Sequence, residues 1–330
     1  TVKASKLYIE GKNVKVLNTD DVKNTAGTAA LTGANVKIRS EETPHIGYDV
    51  GNKVARNFTV NGSTSSKMVS DYASTNVAHH AASAKSRGWV VTNRSGTAHT
   101  DYDYMRVHDV YDLQNMNAKV DGRYMLANDI AANETKDWER GFQPIGSSDN
   151  SIGTFKGRFD GVGHTITGLT IKSPTDSFGE YSRGMFAEIE SAHIENVSLK
   201  GASVSGAASV GGIVGSARWS TIRNVSFSGK VHGDDTAVGG IVGTLDQYTL
   251  ENAYHEGTVE GKKAVGGIVG YMIGNSTVQN VRNAGKVLGN EMLGGIAGSV
   301  EANSRVQNAV QMGTVEQRAG QTDSQVGGVV

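Results

Sequence analysis

The chain has 330 residues, 43 of them glycine and 3 proline, no cysteine, and a formal net charge of −1. Lack of cysteine removes disulfides, thiolate chemistry and Cys-ligated zinc, and the near-zero charge leaves no electrostatic footprint for nucleic acid or an anionic membrane. Glycine far above its usual share of about 7%, without a Gly-X-Y period, excludes collagen, and no apolar run reaches the roughly 20 residues of a membrane helix.

Aromatic residues make up only 6% of the chain, so a core must come from Val, Ile, Leu and Ala. The sequence begins at Thr1 without a methionine and stops at Val330 inside a repeat, which predicts a piece of a longer protein.

At the start, Ile9-Glu10-Gly11-Lys12-Asn13-Val14-Lys15-Val16 aligns with Leu31-Thr32-Gly33-Ala34-Asn35-Val36-Lys37-Ile38 at an offset of 22 (33−11). Alternating apolar and polar residues in both copies predict strands with one buried face, two coils of a β-helix over residues 1–40. The pattern breaks over 41–109, read as an excursion with a small sheet. The alanine-rich run from Ser66 to Gly88 is read there as a short helix ended by that glycine.

Strands are expected to resume at Val110. Tyr111-Asp112-Leu113-Gln114-Asn115-Met116 leads into Gly122–Ile130, and lead-in coils then run to residue 183. Within them Asp160-Gly161-Val162-Gly163 is a turn signature, in which the aspartate bonds back to nearby backbone.

Residues 184–330 carry the dominant signal. Asn196, Asn224, Asn252, Asn280 and Asn308 are each 28 apart, and Gly201, Gly229, Gly257, Gly285 and Gly313 keep the same beat. Gly-Gly-Ile-Val-Gly recurs at 211–215, 239–243 and 266–270, with weaker copies at 294–298 and 327–330, and Gly184 opens the series one step before Gly212. A fixed period marks a stacked-repeat fold. Here it predicts an all-β, right-handed parallel β-helix (solenoid) with an extra-helical insertion. Equivalent residues then lie about 4.8 Å apart in successive coils, the asparagines form an inward hydrogen-bonded ladder with Asn196 buried, and the in-phase glycines take corners needing positive φ or close backbone approach.

These strings resemble the GLUG repeat of large bacterial secreted and surface proteins. Tyr124-X-Leu126-X-Asn128-Asp129-Ile130, Gly141-Phe142-X-Pro144-Ile145-Gly146 and Phe155-X-Gly157-X-Phe159-Asp160-Gly161-X-Gly163-His164-Thr165-Ile166 match the usual lead-in, so the likeness covers roughly 110–330. The opening coils more loosely resemble filamentous-haemagglutinin-like exoproteins of two-partner secretion. Together these resemblances imply a virulence-associated adhesin, secreted or held at the bacterial cell surface, exported through an outer-membrane transporter and binding a host-cell glycan or protein. GLUG repeats also occur in immunoglobulin A metalloproteases whose catalytic domain lies elsewhere, and no His-Glu-X-X-His is present in this chain.

The ligand-binding candidates are Trp89, Asp101, Tyr102, Asp103, Tyr104 and Arg106, the densest aromatic and acidic stretch, flanked by His108, Asp109 and Tyr111. Asp101 and Asp103 are the acids to test for a β-helical polysaccharide lyase or hydrolase, and a plain structural stalk is the other alternative. Asp160 and His164 read as turn and strand-start residues rather than an acid–base pair. His79, His80 and His99 lack metal-ligand spacing, and the glycine strings lack a βαβ context for phosphate. Asn57, Asn93, Asn133 and Asn196 stand in Asn-X-Ser/Thr acceptor sequences. The expectation is a non-enzymatic monomer with no catalytic residue, no cofactor, no metal, no nucleic-acid partner and no membrane insertion of this fragment.

Overall fold

The computed structural model describes residues 6–11, 15–16, 35–40, 45–46, 57–60, 63–65, 91–95, 101–138, 141–147, 152–172, 182–301, 303–320 and 325–330, with side chains from Arg106 onward, Ala118 excepted. The chain forms two compact units, Thr1–Asn128 and Asp129–Val330.

In the first unit the strands Lys6–Gly11, Asn35–Ser40 and Asn57–Val60 pair in parallel and in chain order. Leu7 and Ile9 lie opposite Val36 and Ile38, which in turn lie opposite Phe58 and Val60. The first step is 29 residues (35−6) and the second is 22 (57−35). The expected 22-residue register between the first two copies is therefore not adopted. Leu7-X-Ile9 and Val14-X-Val16 both offer apolar residues two apart, so an alternating partner strand fits either.

Asn57–Val60 also forms a hairpin with Ser63–Ser65. Val91–Ser95 runs antiparallel to Asp101–Val107, which pairs in parallel with Arg123–Leu126. The helix expected within 66–88 falls outside the described residues.

A second correction concerns 110–116. Val110–Asn115 is an α-helix continued by a 3₁₀ turn, Met116–Ala118, where a strand was expected. Asp109 caps it, its Oδ1 accepting the N–H groups of Tyr111 at 3.0 Å and Asp112 at 2.9 Å. Val110, Leu113 and Met116 are buried. Their three-residue spacing is a helical stripe, which a period of two does not explain.

The second unit is a parallel β-solenoid. Its lead-in is irregular: Ile130 pairs with Ile166, 36 residues on, and Arg158 with His193, 35 on. The regular beat starts where Phe186–Glu190 meets Val214–Arg218, Phe186 opposite Val214 at 28 residues, as the Gly184 string predicts.

Each coil then has three strand faces. One coil is Thr221–Gly233, Thr236–Gly239 and Val242–Asp246. It lies between His193–Gly206, Val210–Gly211 and Val214–Arg218 on one side and Thr249–Glu260, Lys263–Gly266 and Val269–Ile273 on the other. Two more coils follow in the same parallel order. One face shortens by a residue, Val238 pairing with Val265, which accounts for the 27-residue spacing of the Gly-Gly-Ile-Val-Gly strings at 239 and 266. Ile213, Ile241, Ile268 and Ile296 form a fully buried column, with Val214, Val242, Val269 and Ala297 beside it.

Corners are made by single residues in the left-handed region, stacked in three columns. The first is Asn196, Asn224, Asn252, Asn280 and Asn308, with φ between 47° and 57°. A second is Ser191, Trp219, Gln247, Asn275 and Asn303; the third is Ser209, Ala237, Ala264 and Met292. The asparagine ladder therefore exists but does not point inward. Asn224, Asn252, Asn280 and Asn308 are exposed, and Asn196 is half-buried.

Asn224 Nδ2 donates to Asn196 Oδ1 at 2.9 Å, Asn252 to Asn224 at 2.9 Å, and Asn308 to Asn280 at 3.1 Å. Asparagine tolerates positive φ better than other L-residues. Corner geometry, not core polarity, therefore selects it here. The in-phase glycines divide as expected. Gly201, Gly229 and Gly257 take positive φ, whereas a Cβ at Gly285 would lie 2.7 Å from Gly257 O.

Three residues beyond each ladder asparagine runs an inner column: Leu199, Phe227, His255, Asn283 and Gln311. The first four are buried. Phe227, His255, Asn283 and Gln311 each press on the second glycine of a Gly-Gly string. A Cβ at Gly212 would meet Phe227 Cγ at 2.6 Å, at Gly240 His255 Cγ at 2.6 Å, and at Gly295 Gln311 Cγ at 2.6 Å. The Gly-Gly step leaves room for this column and for the next coil's backbone, since the same Cβ atoms would overlap the carbonyl oxygens of Gly240, Gly267 and Gly328.

Candidate functional site

Of the six sequence candidates, Trp89 lies outside the described residues. Asp101, Tyr102, Asp103 and Tyr104 lie along Asp101–Val107, opposite Ser95, Arg94, Asn93 and Thr92. Arg106 is only 7% exposed, and burial lowers its pKa. It is part of the packing rather than a solvent-facing contact. Asp109 caps the helix, and Asp112 Oδ2 takes the His108 N–H at 3.0 Å and lies 3.3 Å from its Nδ1. The basic and acidic end of the predicted cluster is thereby committed to holding a helix start.

Asp160 and His164 serve different neighbours. Asp160 is buried; its Oδ1 accepts the Val162 N–H at 2.8 Å, closing the expected turn, and Asn196 Nδ2 at 3.0 Å, making it the ladder's first rung. His164 Nδ1 is 3.1 Å from Asp129 Oδ1, which also accepts the Thr165 N–H; these contacts hold the Asp129 pKa below the usual carboxylate range. His79, His80 and His99 are outside the described residues, and among the described ones no group of three His, Asp or Glu is placed to hold a metal.

A different patch emerges on the second corner column. Trp219 and Tyr248 are 43% and 45% exposed, the aromatic side chains standing furthest into solvent among the described residues. Trp219 sits at φ 50°, a conformation costing a bulky L-residue about 1–2 kcal/mol. Its indole Nε1 donates to Gln247 Oε1 at 2.8 Å. The Arg218 guanidinium lies 5.7 Å from the ring centroid, and Arg218 Nε donates to Asp246 Oδ2 at 3.2 Å. Gln247 and Asp246 are the next coil's counterparts of Trp219 and Arg218, 28 residues on. One coil thus fixes the ring of the coil before it by its edge and, through Arg218, from one face.

Chemically this is a held aromatic plane beside planar amide and carboxylate groups, with the opposed charges of Arg218 and Asp246 cancelling. Sequence reasoning missed it because it sought aromatics by local density. Carrying the 28-residue register from Ser191 to Asn303 would have isolated Trp219 as the bulky member of a Ser, Gln and Asn column.

Comparison with known proteins agrees on the repeat. Residues 206–231 match the GLUG motif. Halomucin from Haloquadratum walsbyi is 31% identical over 104 residues, covering 30% of this chain and about 1% of that protein. Among solved structures, one provisionally described as an immunoglobulin A1 protease from Bacteroides ovatus is 18% identical with a TM-score of 0.47, covering 69% of this chain and 83% of its own. Another, an IgA1 protease, is 16% identical with a TM-score of 0.41, covering 74% of this chain and 23% of its own. Neither structural likeness bears on function. The chain carries a GLUG motif within a parallel β-solenoid.

Proposed function

We propose that the chain is a non-catalytic display segment of an exported, cell-surface protein, binding a glycan or protein of a host cell through the outer faces of its solenoid. One observation carries this reading: coils built on one constant buried column carry an outward column that changes from coil to coil. The Ile213, Ile241, Ile268 and Ile296 column is constant, while the outward series three residues before Gly201, Gly229, Gly257, Gly285 and Gly313 reads Ser198, Ser226, Tyr254, Arg282 and Val310. A constant frame with a changing surface suits recognition, as in other solenoids whose extended faces bind partners. The GLUG motif and the partial likeness to halomucin support an extracellular or surface setting. A non-catalytic role is supported by Asp160 and His164, each held by a structural partner rather than by the other.

Export by a two-partner transporter belongs to the same proposal, as does solution as a monomer. The test is binding of the labelled full chain to host-cell monolayers and to an array of glycans and matrix proteins. Saturable binding, abolished by unlabelled chain, is the expected result. Absence of saturable binding to any of these surfaces would reduce the segment to a structural stalk.

A further inference from the structure

We propose that the corner around Trp219 is a saccharide-binding site for neutral hexose or N-acetylhexosamine residues, an assignment that rests on the binding role above and names where and what it binds. The first ground is the conformation of Trp219. Its column places Ser191, Gln247, Asn275 and Asn303 at the same left-handed corner, residues whose polar groups suit such a position. Tryptophan does not, and with 43% of its surface in solvent the core gives no compensation. Strain at an exposed position points from geometry to function.

The second ground is preorganisation. The indole edge is tied to Gln247 Oε1, and Arg218, itself held by Asp246, lies toward the ring at 5.7 Å. A ring already fixed loses little freedom on binding. Gln247 uses its oxygen on Trp219 and keeps its Nε2 donors. Exposed Tyr248 follows it, and Gly274 lies against Asp246 and Gln247 with no side chain of its own, leaving that edge of the corner low.

A held ring with planar amide and carboxylate groups beside it matches a pyranose, which offers a C–H face for stacking and neighbouring hydroxyls for paired hydrogen bonds. The Arg218–Asp246 pair neutralises the guanidinium at the site, so acidic sugars gain nothing from it. A protein partner would require on the order of 800 Å² of surface per side, more than one corner supplies.

The deciding variant is Trp219→Asn, which installs the residue type found at this corner in later coils and so favours the fold. The full chain is titrated with methyl glucosides, methyl galactosides and N-acetylglucosamine, followed by calorimetry, and is applied to an array of neutral and acidic oligosaccharides. Expected are binding to neutral sugars, at least tenfold weaker binding in Trp219→Asn and Gln247→Ala, and a thermal midpoint of Trp219→Asn equal to or above the parent.

Binding unchanged within twofold in Trp219→Asn, binding confined to acidic sugars, or no sugar bound would overturn the site. If host cells are still bound through another surface, the display role stands and the site falls. If neutral sugars are bound through Trp219 but no host cell is, the site stands and host adhesion falls.

Discussion

The early and late halves of the inner column solve one packing problem in two ways. Leu199 and Phe227 fill the coil with hydrocarbon, whereas His255, Asn283 and Gln311 fill the equivalent positions with polar groups. The His255 ring still stacks on Phe227, centroids 6.1 Å apart at 17°. Asn283 then collects its neighbours' polar groups. Its Oδ1 lies 2.7 Å from His255 Nδ1 and accepts the Gly285 N–H at 2.9 Å, while its Nδ2 donates to Gly295 O and Gln311 Oε1, each at 2.9 Å. Buried polar groups are tolerable when they find partners and costly when one is removed; here His255 Nε2 and Gln311 Nε2 are left unbonded among the described residues, while the other groups are paired. The interior of a coil is therefore free in chemistry but fixed in volume and connectivity.

Breaking the hub should have the largest effect. Asn283→Ala strands the Gly295 carbonyl, the His255 Nδ1 hydrogen and the Gln311 amide together, and is expected to cost on the order of 3–5 kcal/mol, read as a lowered denaturation midpoint. By contrast, Phe227→Leu copies the coil below it and should cost less than about 1.5 kcal/mol. Similar losses in the two variants would show that the polar half has no special connectivity.

Acid should separate the halves next. Burial is the main cause that lowers the His255 pKa from 6.5 to about 4. Below pH 6.5 the unfolded chain binds a proton that the folded chain refuses, so this contribution is complete above pH 6.5 and falls as the pH drops toward 4. The full loss is about 3 kcal/mol, from the roughly 1.4 kcal/mol that accompanies each pH unit. His255→Phe, repeating the rung before it, should remove this part of the pH dependence; stability–pH curves of equal slope in parent and variant would disprove it.

Volume is the third probe. Gly240→Ala pushes a methyl group against both the Gly267 carbonyl oxygen and the His255 ring and should cost about 1–3 kcal/mol or more, with His255→Ala in the same chain recovering only the ring's share. No recovery would mean the glycine serves the backbone alone.

The smallest effects belong outside. Asn252→Ala removes a ladder bond and a residue suited to positive φ, for a loss of about 1 kcal/mol, and Asn252→Gly should lose less. Arg223→Ala removes a surface pair with Glu195 and should change the stability by less than about 1 kcal/mol. A larger loss at Arg223 than at Asn283 would reverse the inside–outside contrast altogether.

Much of this was legible in the residues. The 28-residue asparagine and glycine beats predicted the parallel coil, and the Gly184 string marked where that beat opens, at the strand Phe186–Glu190. Val110–Asn115 departs from the expected strand because Val110, Leu113 and Met116 are apolar at a helical spacing. The opening register departs because two apolar pairs seven residues apart fit the same partner. The ladder stands outside because positive φ, not burial, selects its asparagines.

The Trp219 corner shows the remaining gap. Its residues are 28 apart, so their contacts exist only once one coil lies on another, and the local aromatic density that drew attention to Trp89, Tyr102 and Tyr104 carries no information about them.

What the sequence determined by itself is the repeat, because stacking one coil on the next imposes the same steric and hydrogen-bonding demand at every turn and so writes a period into the chain. What only the tertiary structure decided is which side of the wall each column occupies. A residue's direction at a corner depends on left-handed backbone angles shared by Asn, Ser, Gln, Ala, Met and even Trp here, and no residue type encodes those angles alone.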